Sequence, residues 1–134
     1  MLGYPEEESK AADMILVDTS VWISHLREGN DHLVSLLNNG HVFCHPFIIG
    51  ELACGNLSNR EQILSFLSFL PQCRNVDPDE IFIFIENNKL MGKGLGYIDV
   101  CLLASSVLSD ISIWTYDKRL QQAALNLGLC YEME

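Results

Sequence analysis

Short apolar runs alternate with amphipathic segments along this chain. The first run, residues 14–17, is apolar on both faces and is followed by Asp18, Thr19 and Ser20, which are good helix N-cap residues. The sequence therefore predicts a buried parallel strand that leads directly into a helix. Similar short runs predict further strands at residues 41–45, 73–76, 111–115 and 129–132.

Helices are predicted between these strands, because apolar residues recur there with helical spacing and capping residues or prolines bound the segments. The predicted helices cover residues 20–27, 31–38, 46–53, 59–70, 78–91, 98–108 and 118–127. Strands that alternate with helices predict an α/β fold, with a parallel sheet and helices on both of its faces. Ligands bind such sheets beyond the carboxyl ends of the strands. Asp18 and Asp117 each follow a predicted strand directly, so both are expected at that edge.

The length of 134 residues and the apolar content of 49% suit one hydrophobic core. We predict a single domain over residues 14–134, preceded by a disordered N-terminal extension or an artificial remnant at residues 1–13. No apolar run reaches the roughly 20 residues that cross a bilayer, and residues 1–13 do not resemble a secretory signal. A cytoplasmic protein with no membrane contact is expected. The five cysteines include no Cys-x-x-Cys pair, which predicts reduced, mostly buried thiols.

The net charge of −10 weakens the case for a nucleic-acid enzyme, because backbone phosphates are normally attracted by Lys and Arg. Residues 1–13 contain four acids and one lysine, a net −3, which leaves −7 for the remainder. Bound cations could neutralise several of those charges. Acidity therefore does not exclude RNA as a substrate.

Four carboxylates lie in or beside apolar segments and are the candidate chemistry. They are Asp18, Glu51, Asp99 and Asp117. Each also has a plain structural explanation: Asp18 and Asp117 as N-caps, Asp99 as a helix-dipole partner, and Glu51 as part of a solvated face. Thr19 and Ser20 are expected to cap the first helix, which would leave Asp18 available for another role. If the four converge, carboxylates about 5 Å apart repel by roughly 3 kcal/mol, and a hard cation resolves the conflict. Oxygen ligands alone favour Mg²⁺ or Mn²⁺ over zinc.

Other motifs indicate less. The glycines at 92, 94 and 96 do not match a dinucleotide fingerprint and predict a loop, in which Lys93 could meet a phosphate. Lys118 and Arg119 either bind substrate phosphate or form a solvated helix face. The two tryptophans are expected in the core, and the four histidines are expected at the surface or at strand ends.

Four segments resemble one known family. Residues 15–23 (ILVDTSVWI), 50–52 (GEL), 94–105 (GLGYIDVCLLAS) and 114–120 (WTYDKRL) are similar to motifs of the PIN-domain family, specifically its VapC-type toxins. The resemblance spans about residues 14–131, with the motifs in the family's order.

The resemblance implies a three-layer α/β/α sandwich around a mostly parallel sheet of about five strands. It implies that Asp18, Glu51, Asp99 and Asp117 bind metal and that the hydroxyl of Thr115 helps to line the pocket. The implied activity is a Mg²⁺- or Mn²⁺-dependent endoribonuclease that cuts structured RNA such as tRNA or rRNA. The implied partners are a second copy in a homodimer and a cognate antitoxin, whose tail places a basic residue against the acids.

Two other functions stay open from the residues. A PIN-like fold could serve as a non-catalytic interaction module, although the complete set of four acids argues against this. A metal-dependent phosphatase acting on small molecules would also use an Asp after the first strand. That chemistry usually needs a second Asp two residues later, where this chain has Ser20.

Overall fold

The computed structural model describes residues 14–132. The predicted extension at residues 1–13 lies outside the described residues, as do residues 133–134. The described range contains three strands, which are β1 (Ile15–Val17), β2 (Val42–Phe43) and β3 (Ser112–Trp114). It also contains seven helices, which are α1 (Thr19–Glu28), α2 (Asp31–Asn38), α3 (Pro46–Ala53), α4 (Arg60–Phe69), α5 (Pro78–Asn88), α6 (Tyr97–Ser109) and α7 (Lys118–Asn126).

The sheet is parallel and has the order β2-β1-β3. All three residues of β1 are buried, as the run of apolar residues on both faces predicts for a central strand. Leu16 lies opposite Phe43 on one side and Ile113 on the other. The predicted α/β class with a parallel sheet is therefore confirmed.

The outer strands are shorter than expected. Gln72 forms an isolated parallel bridge with Cys44, and Cys130 forms another with Ile113. The strands predicted at residues 73–76 and 129–132 are thus reduced to one bridging residue at each edge of the described sheet. Residues 73–76 are mostly polar or exposed, so little apolar burial is available to extend pairing there.

Helix α6 runs through the interior, because seven consecutive residues, Val100 to Ser106, are buried. It packs against α5 and β3, while α3 contacts both α1 and α4. The core combines these helix faces with the three strands and includes both tryptophans, as predicted. Cys44, Cys73 and Cys101 are buried, and all five cysteines are free thiols. None of the helices formed by residues 14–132 is long and apolar enough to span a membrane.

Most helix boundaries agree with the sequence pattern to within two residues, but α5 ends earlier than predicted. Its C-cap, Lys89, has a φ of 52°, which interrupts the helix three residues after Glu86. The segment between α5 and α6 is therefore a longer loop than expected. This loop contains Lys93 and leads into the helix that carries Asp99.

Candidate active site

The carboxyl end of the sheet holds a buried network around Asp18. Because β1 and β3 are parallel neighbours, Asp18 after β1 lies beside Thr115 after β3. Thr115 Oγ1 donates a hydrogen bond of 2.8 Å to Asp18 Oδ2, and Ser20 Oγ donates another of 2.8 Å to the same oxygen. Asp18 is 6% exposed and Thr115 is 2% exposed. The network thus holds the Asp18 carboxylate in one orientation at the sheet edge.

Glu51 is joined to this network through the first residue of α1. Thr19 Oγ1 donates a hydrogen bond of 2.6 Å to Glu51 Oε1. Glu51 lies near the C-terminal end of α3 and is exposed, while Thr19 is the neighbour of Asp18 in the chain. The packing of α1 against α3 therefore brings the second candidate acid to the same edge.

Asp99 lies in the first turn of α6, where Asp99 Oδ2 accepts a hydrogen bond of 3.2 Å from the Gly96 amide. Burial raises the pKa of Asp99, and the charges of Asp18, Asp117 and Glu51 raise it further, against a lowering effect of the Gly96 N–H. Three other carboxylates are therefore close enough to oppose the ionisation of this one. This mutual repulsion is the clearest sign that the four acids share one region.

Asp117 is the N-cap of α7. Asp117 Oδ1 accepts hydrogen bonds of 3.0 Å from the amides of Arg119 and Leu120. The Asp117 amide donates in turn to Thr115 Oγ1 at 3.0 Å. Asp117 is exposed, and its backbone amide is hydrogen-bonded to Thr115, the threonine that also donates to Asp18.

In all four carboxylates one oxygen is anchored by protein donors and the other has no hydrogen-bond partner among residues 14–132. The anchored atoms are Asp18 Oδ2, Glu51 Oε1, Asp99 Oδ2 and Asp117 Oδ1. None of the four acids forms a salt bridge within that range. Oriented carboxylates with unused oxygens and no neutralising base are the donor set that Mg²⁺ and Mn²⁺ prefer.

The acids are not yet arranged as a finished coordination sphere. In the described part of the chain, no three His, Cys, Asp or Glu side chains stand close enough to hold a metal ion as they are placed. Carboxylates that repel one another separate when no cation is between them. Binding a cation at this edge would therefore require side-chain movements that bring the free oxygens together.

The expectation that Thr19 and Ser20 would cap α1 and leave Asp18 free is wrong. Asp18 itself is the N-cap and accepts from the Ser20 amide at 3.3 Å. Capping uses the same Oδ2 that the two hydroxyls bind, so it does not occupy the second oxygen. Sequence reasoning also missed the roles of Thr19 and Ser20 as hydroxyls that hold Glu51 and Asp18. The available signal in the sequence was that two hydroxyl residues, Thr19 and Ser20, directly follow Asp18.

His45 lies at the end of the second strand, in agreement with the prediction, and it is fully buried. Burial lowers the pKa of His45 to about 4, so the ring is neutral. His45 Nδ1 accepts from the Phe47 amide at 2.9 Å, which leaves the proton on Nε2 to donate to Ser105 Oγ at 3.1 Å. His45 thereby caps α3, which carries Glu51, and binds α6, which carries Asp99.

Comparison with known proteins is consistent with this architecture. The family model described as "PIN domain" matches residues 15–126. The chain is 42% identical over 122 residues to Ribonuclease VapC32 of Mycobacterium tuberculosis, in two strains, covering 90% of this chain and 98% of the relative. The crystal structure of PAE2754 from Pyrobaculum aerophilum superposes with a TM-score of 0.57 at 16% identity, covering 84% of this chain and 80% of that one. The last likeness concerns the fold alone.

Proposed function

This chain belongs to the PIN domain family, and from that premise we propose that it is an endoribonuclease acting as the toxin of a toxin–antitoxin pair. Its relatives of 42% identity carry the name ribonuclease and match it over nearly their whole length. The observation that supports the proposal is the hydrogen bonding at the carboxyl end of the sheet, where Thr115 binds both Asp18 and the backbone of Asp117. The proposed substrates are structured RNAs such as tRNA or rRNA.

The proposed cofactor is Mg²⁺ or Mn²⁺, held by the free oxygens of Asp18, Glu51, Asp99 and Asp117. When bound, such a cation activates water and neutralises charge on the phosphate that is attacked. Asp18 is the most rigid of the four because two hydroxyls and a backbone amide hold its other oxygen. Asp99 releases its proton more readily once a cation offsets the charges around it. Thr115 orients Asp18 and the backbone of Asp117.

An antitoxin is the proposed protein partner. A groove of about 500 Å³ lies between α1, α3 and the start of α4 and reaches Glu51. Its walls include the apolar side chains of Ile23, Leu26, Leu57 and Ile63. An amphipathic helix with a basic residue near its end would bury apolar surface in this groove and place a positive charge against the acids. The acidic net charge of −10 favours such a partner.

The test is cleavage of bulk tRNA and rRNA by purified protein freed of antitoxin, with and without Mg²⁺ or Mn²⁺. We expect metal-dependent cleavage by the wild type and a loss of at least about 100-fold in Asp18→Asn, since a held carboxylate is replaced by a poorer ligand. Asp110→Asn removes the same charge at the C-cap of α6, outside the site, and should retain full activity.

Equal activity of the wild type and Asp18→Asn would exclude this site as the source of cleavage. Hydrolysis of p-nitrophenyl phosphate without any RNA cleavage would favour the small-molecule phosphatase. A protein that neither cleaves RNA nor binds Mn²⁺ would be the non-catalytic interaction module.

A further inference from the structure

A second groove is lined by basic side chains and is formed by residues close in sequence to Asp99 and Asp117. It has a volume of about 280 Å³ and lies between α7 and the loop that joins α5 to α6. Lys93 contributes from the loop, while Lys118 and Arg119 contribute from the first turn of α7. Three of the eight Lys and Arg residues of the chain therefore meet at one small groove.

The charge balance of this groove is unusual for so acidic a protein. The chain has 18 Asp and Glu residues, yet none of the described residues that line the groove is acidic. The remaining polar side chains in its wall are neutral amides, Asn88, Gln122 and Asn126. Three like charges around one groove repel one another, and an anionic ligand would remove that repulsion.

The side chain of Arg119 packs against the loop at Gly94. A Cβ atom at Gly94 would lie 2.9 Å from both Cδ and Nη1 of Arg119, so the arginine side chain lies directly on the glycine. Gly94 also has a φ of 78°, which disfavours any side chain. Only glycine at this position lets the loop and the arginine approach so closely. Arg119 thus packs against the loop that carries Lys93.

Both walls of the groove connect directly to the candidate acids. Lys118 follows Asp117 in the chain. The loop that carries Lys93 and Gly94 leads into α6, and Asp99 lies in the first turn of that helix. An RNA strand whose phosphate lies at the four acids would have to place its neighbouring phosphates nearby. The basic groove has the matching charge and is formed by the chain segments that flank Asp99 and Asp117.

We propose that this groove, formed by Lys93, Lys118 and Arg119, binds the phosphodiester backbone of the RNA beside the bond that is cut. The proposal rests on the proposed ribonuclease function and adds to it the place where the substrate strand leaves the site. Contacts to phosphate carry no base specificity, so the groove contributes affinity and register for any sequence. It also explains how a protein of net charge −10 retains RNA: the attraction is local.

The test compares two double variants of equal charge. Lys93→Gln/Lys118→Gln and Arg60→Gln/Arg74→Gln each change the net charge from −10 to −12. Binding of a short fluorescein-labelled single-stranded RNA is measured by anisotropy in EDTA, which prevents cleavage, over a range of salt concentrations. We expect the first variant to bind RNA roughly tenfold more weakly at low salt. The slope of the logarithm of its binding constant against the logarithm of the salt concentration should be smaller in magnitude by about 1.4. The second variant should match the wild type in both respects.

A glycine pair tests the placement of Arg119. Gly94→Ala should weaken RNA binding because the new methyl group displaces the arginine. Gly40→Ala introduces a side chain at a similar φ of 74° but in open space, and it should bind RNA like the wild type. Circular dichroism of both variants establishes that they are folded.

The outcomes separate the groove from the ribonuclease function. Metal-dependent RNA cleavage by the wild type together with equal RNA binding by both double variants would overturn the groove and leave the ribonuclease intact. Loss of RNA affinity in the groove variant alone, in a protein that never cleaves RNA, would support the groove and reject the ribonuclease. If the groove variant keeps its RNA affinity and instead loses affinity for an acidic protein partner, the ligand is that partner and the proposal is wrong.

Discussion

Asp99 is the candidate acid whose ionised form is destabilised by the other three carboxylates. Burial and the charges of three other carboxylates raise its pKa above the usual 3.8. Its ionised form therefore destabilises the fold without metal, and this loss grows as the pH rises through the raised pKa. Function and stability are opposed at this position, as is common where charges are gathered for catalysis.

Replacing Asp99 with Asn should stabilise the metal-free protein while abolishing cleavage. The amide oxygen still accepts the Gly96 N–H, and the repulsion is removed. We expect the free energy of unfolding to increase by on the order of 1 kcal/mol, which corresponds to a rise in Tm of roughly 3–6 °C. Thermal unfolding at pH 7 in EDTA measures this change. The advantage should shrink as the pH is lowered towards 3.8, where the wild-type carboxyl is also protonated.

Divalent metal provides the control for this prediction. Mn²⁺ should raise the Tm of the wild type and have much less effect on Asp99→Asn, because one ligand is lost. Asp110→Asn should respond to Mn²⁺ like the wild type. A lower Tm for Asp99→Asn than for the wild type in EDTA would contradict the idea that these acids repel one another.

At the scale of elements, His45 joins two helices that each carry a candidate acid. It caps α3 and donates to Ser105 in α6, so it helps to set the distance between Glu51 and Asp99. The neutral ring is required for this, because Nδ1 accepts a backbone N–H. Protonation at Nδ1 would break the cap and place an unpaired charge in the core.

We predict that protonation of His45 lowers the free energy of unfolding in acid. Its pKa is lowered from 6.5 to about 4, so its contribution is complete above pH 6.5 and is lost as the pH falls from 6.5 to 4. The loss amounts to at most about 3 kcal/mol. Urea unfolding of the wild type and His45→Asn over this range measures it, since asparagine can cap α3 but does not titrate.

We expect His45→Asn to be less stable at pH 7 and to show a flatter dependence on pH below 6.5. His41→Asn, at a position that is not fully buried, serves as the control and should keep the wild-type pH dependence. Parallel stability curves for the wild type and His45→Asn would show that the buried histidine does not couple folding to pH.

The elements also show where sequence patterns succeed. The central strand and most helices were predicted closely, because burial on both faces and helical periodicity are local properties of the chain. The outer strands were overestimated, since Gln72 and Cys130 form only single bridges. Pairing at a sheet edge depends on what the neighbouring strand offers, and this is not a local property.

For the whole molecule, the homodimer that the family resemblance implies requires an apolar surface that the described fold leaves uncovered. Phe82 and Ile83 are adjacent on α5 and each is 59% exposed, while Ile81 before them is fully buried. We propose that these two exposed apolar side chains form the contact between copies.

We expect the wild type to be a dimer by size-exclusion chromatography with light scattering, and Phe82→Ser/Ile83→Ser to be a monomer. Phe69→Ser removes an even more exposed aromatic side chain, at 86%, from a different helix and should remain a dimer. Dissociation by Phe69→Ser instead would move the interface to α4. A monomeric wild type at micromolar concentration would reject the homodimer.

The sequence by itself determined the order of most elements, the α/β class and the choice of the four candidate acids, because these follow from local periodicity and from acids in or beside apolar segments. Asp18 and Asp117 could be assigned to the sheet edge from the strands that precede them. The roles of the acids and the homodimer stay predictions that rest on resemblance.

Only the tertiary structure decided which groups hold the acids in place. Thr19 reaches Glu51 across 32 positions of the chain, His45 reaches Ser105 across 60, and Thr115 reaches Asp18 across 97. No periodic pattern encodes such pairs, because they arise from how helices and strands pack and not from the conformation of each segment. The same holds for Arg119 on Gly94, where the close approach of a loop and a helix requires the missing side chain.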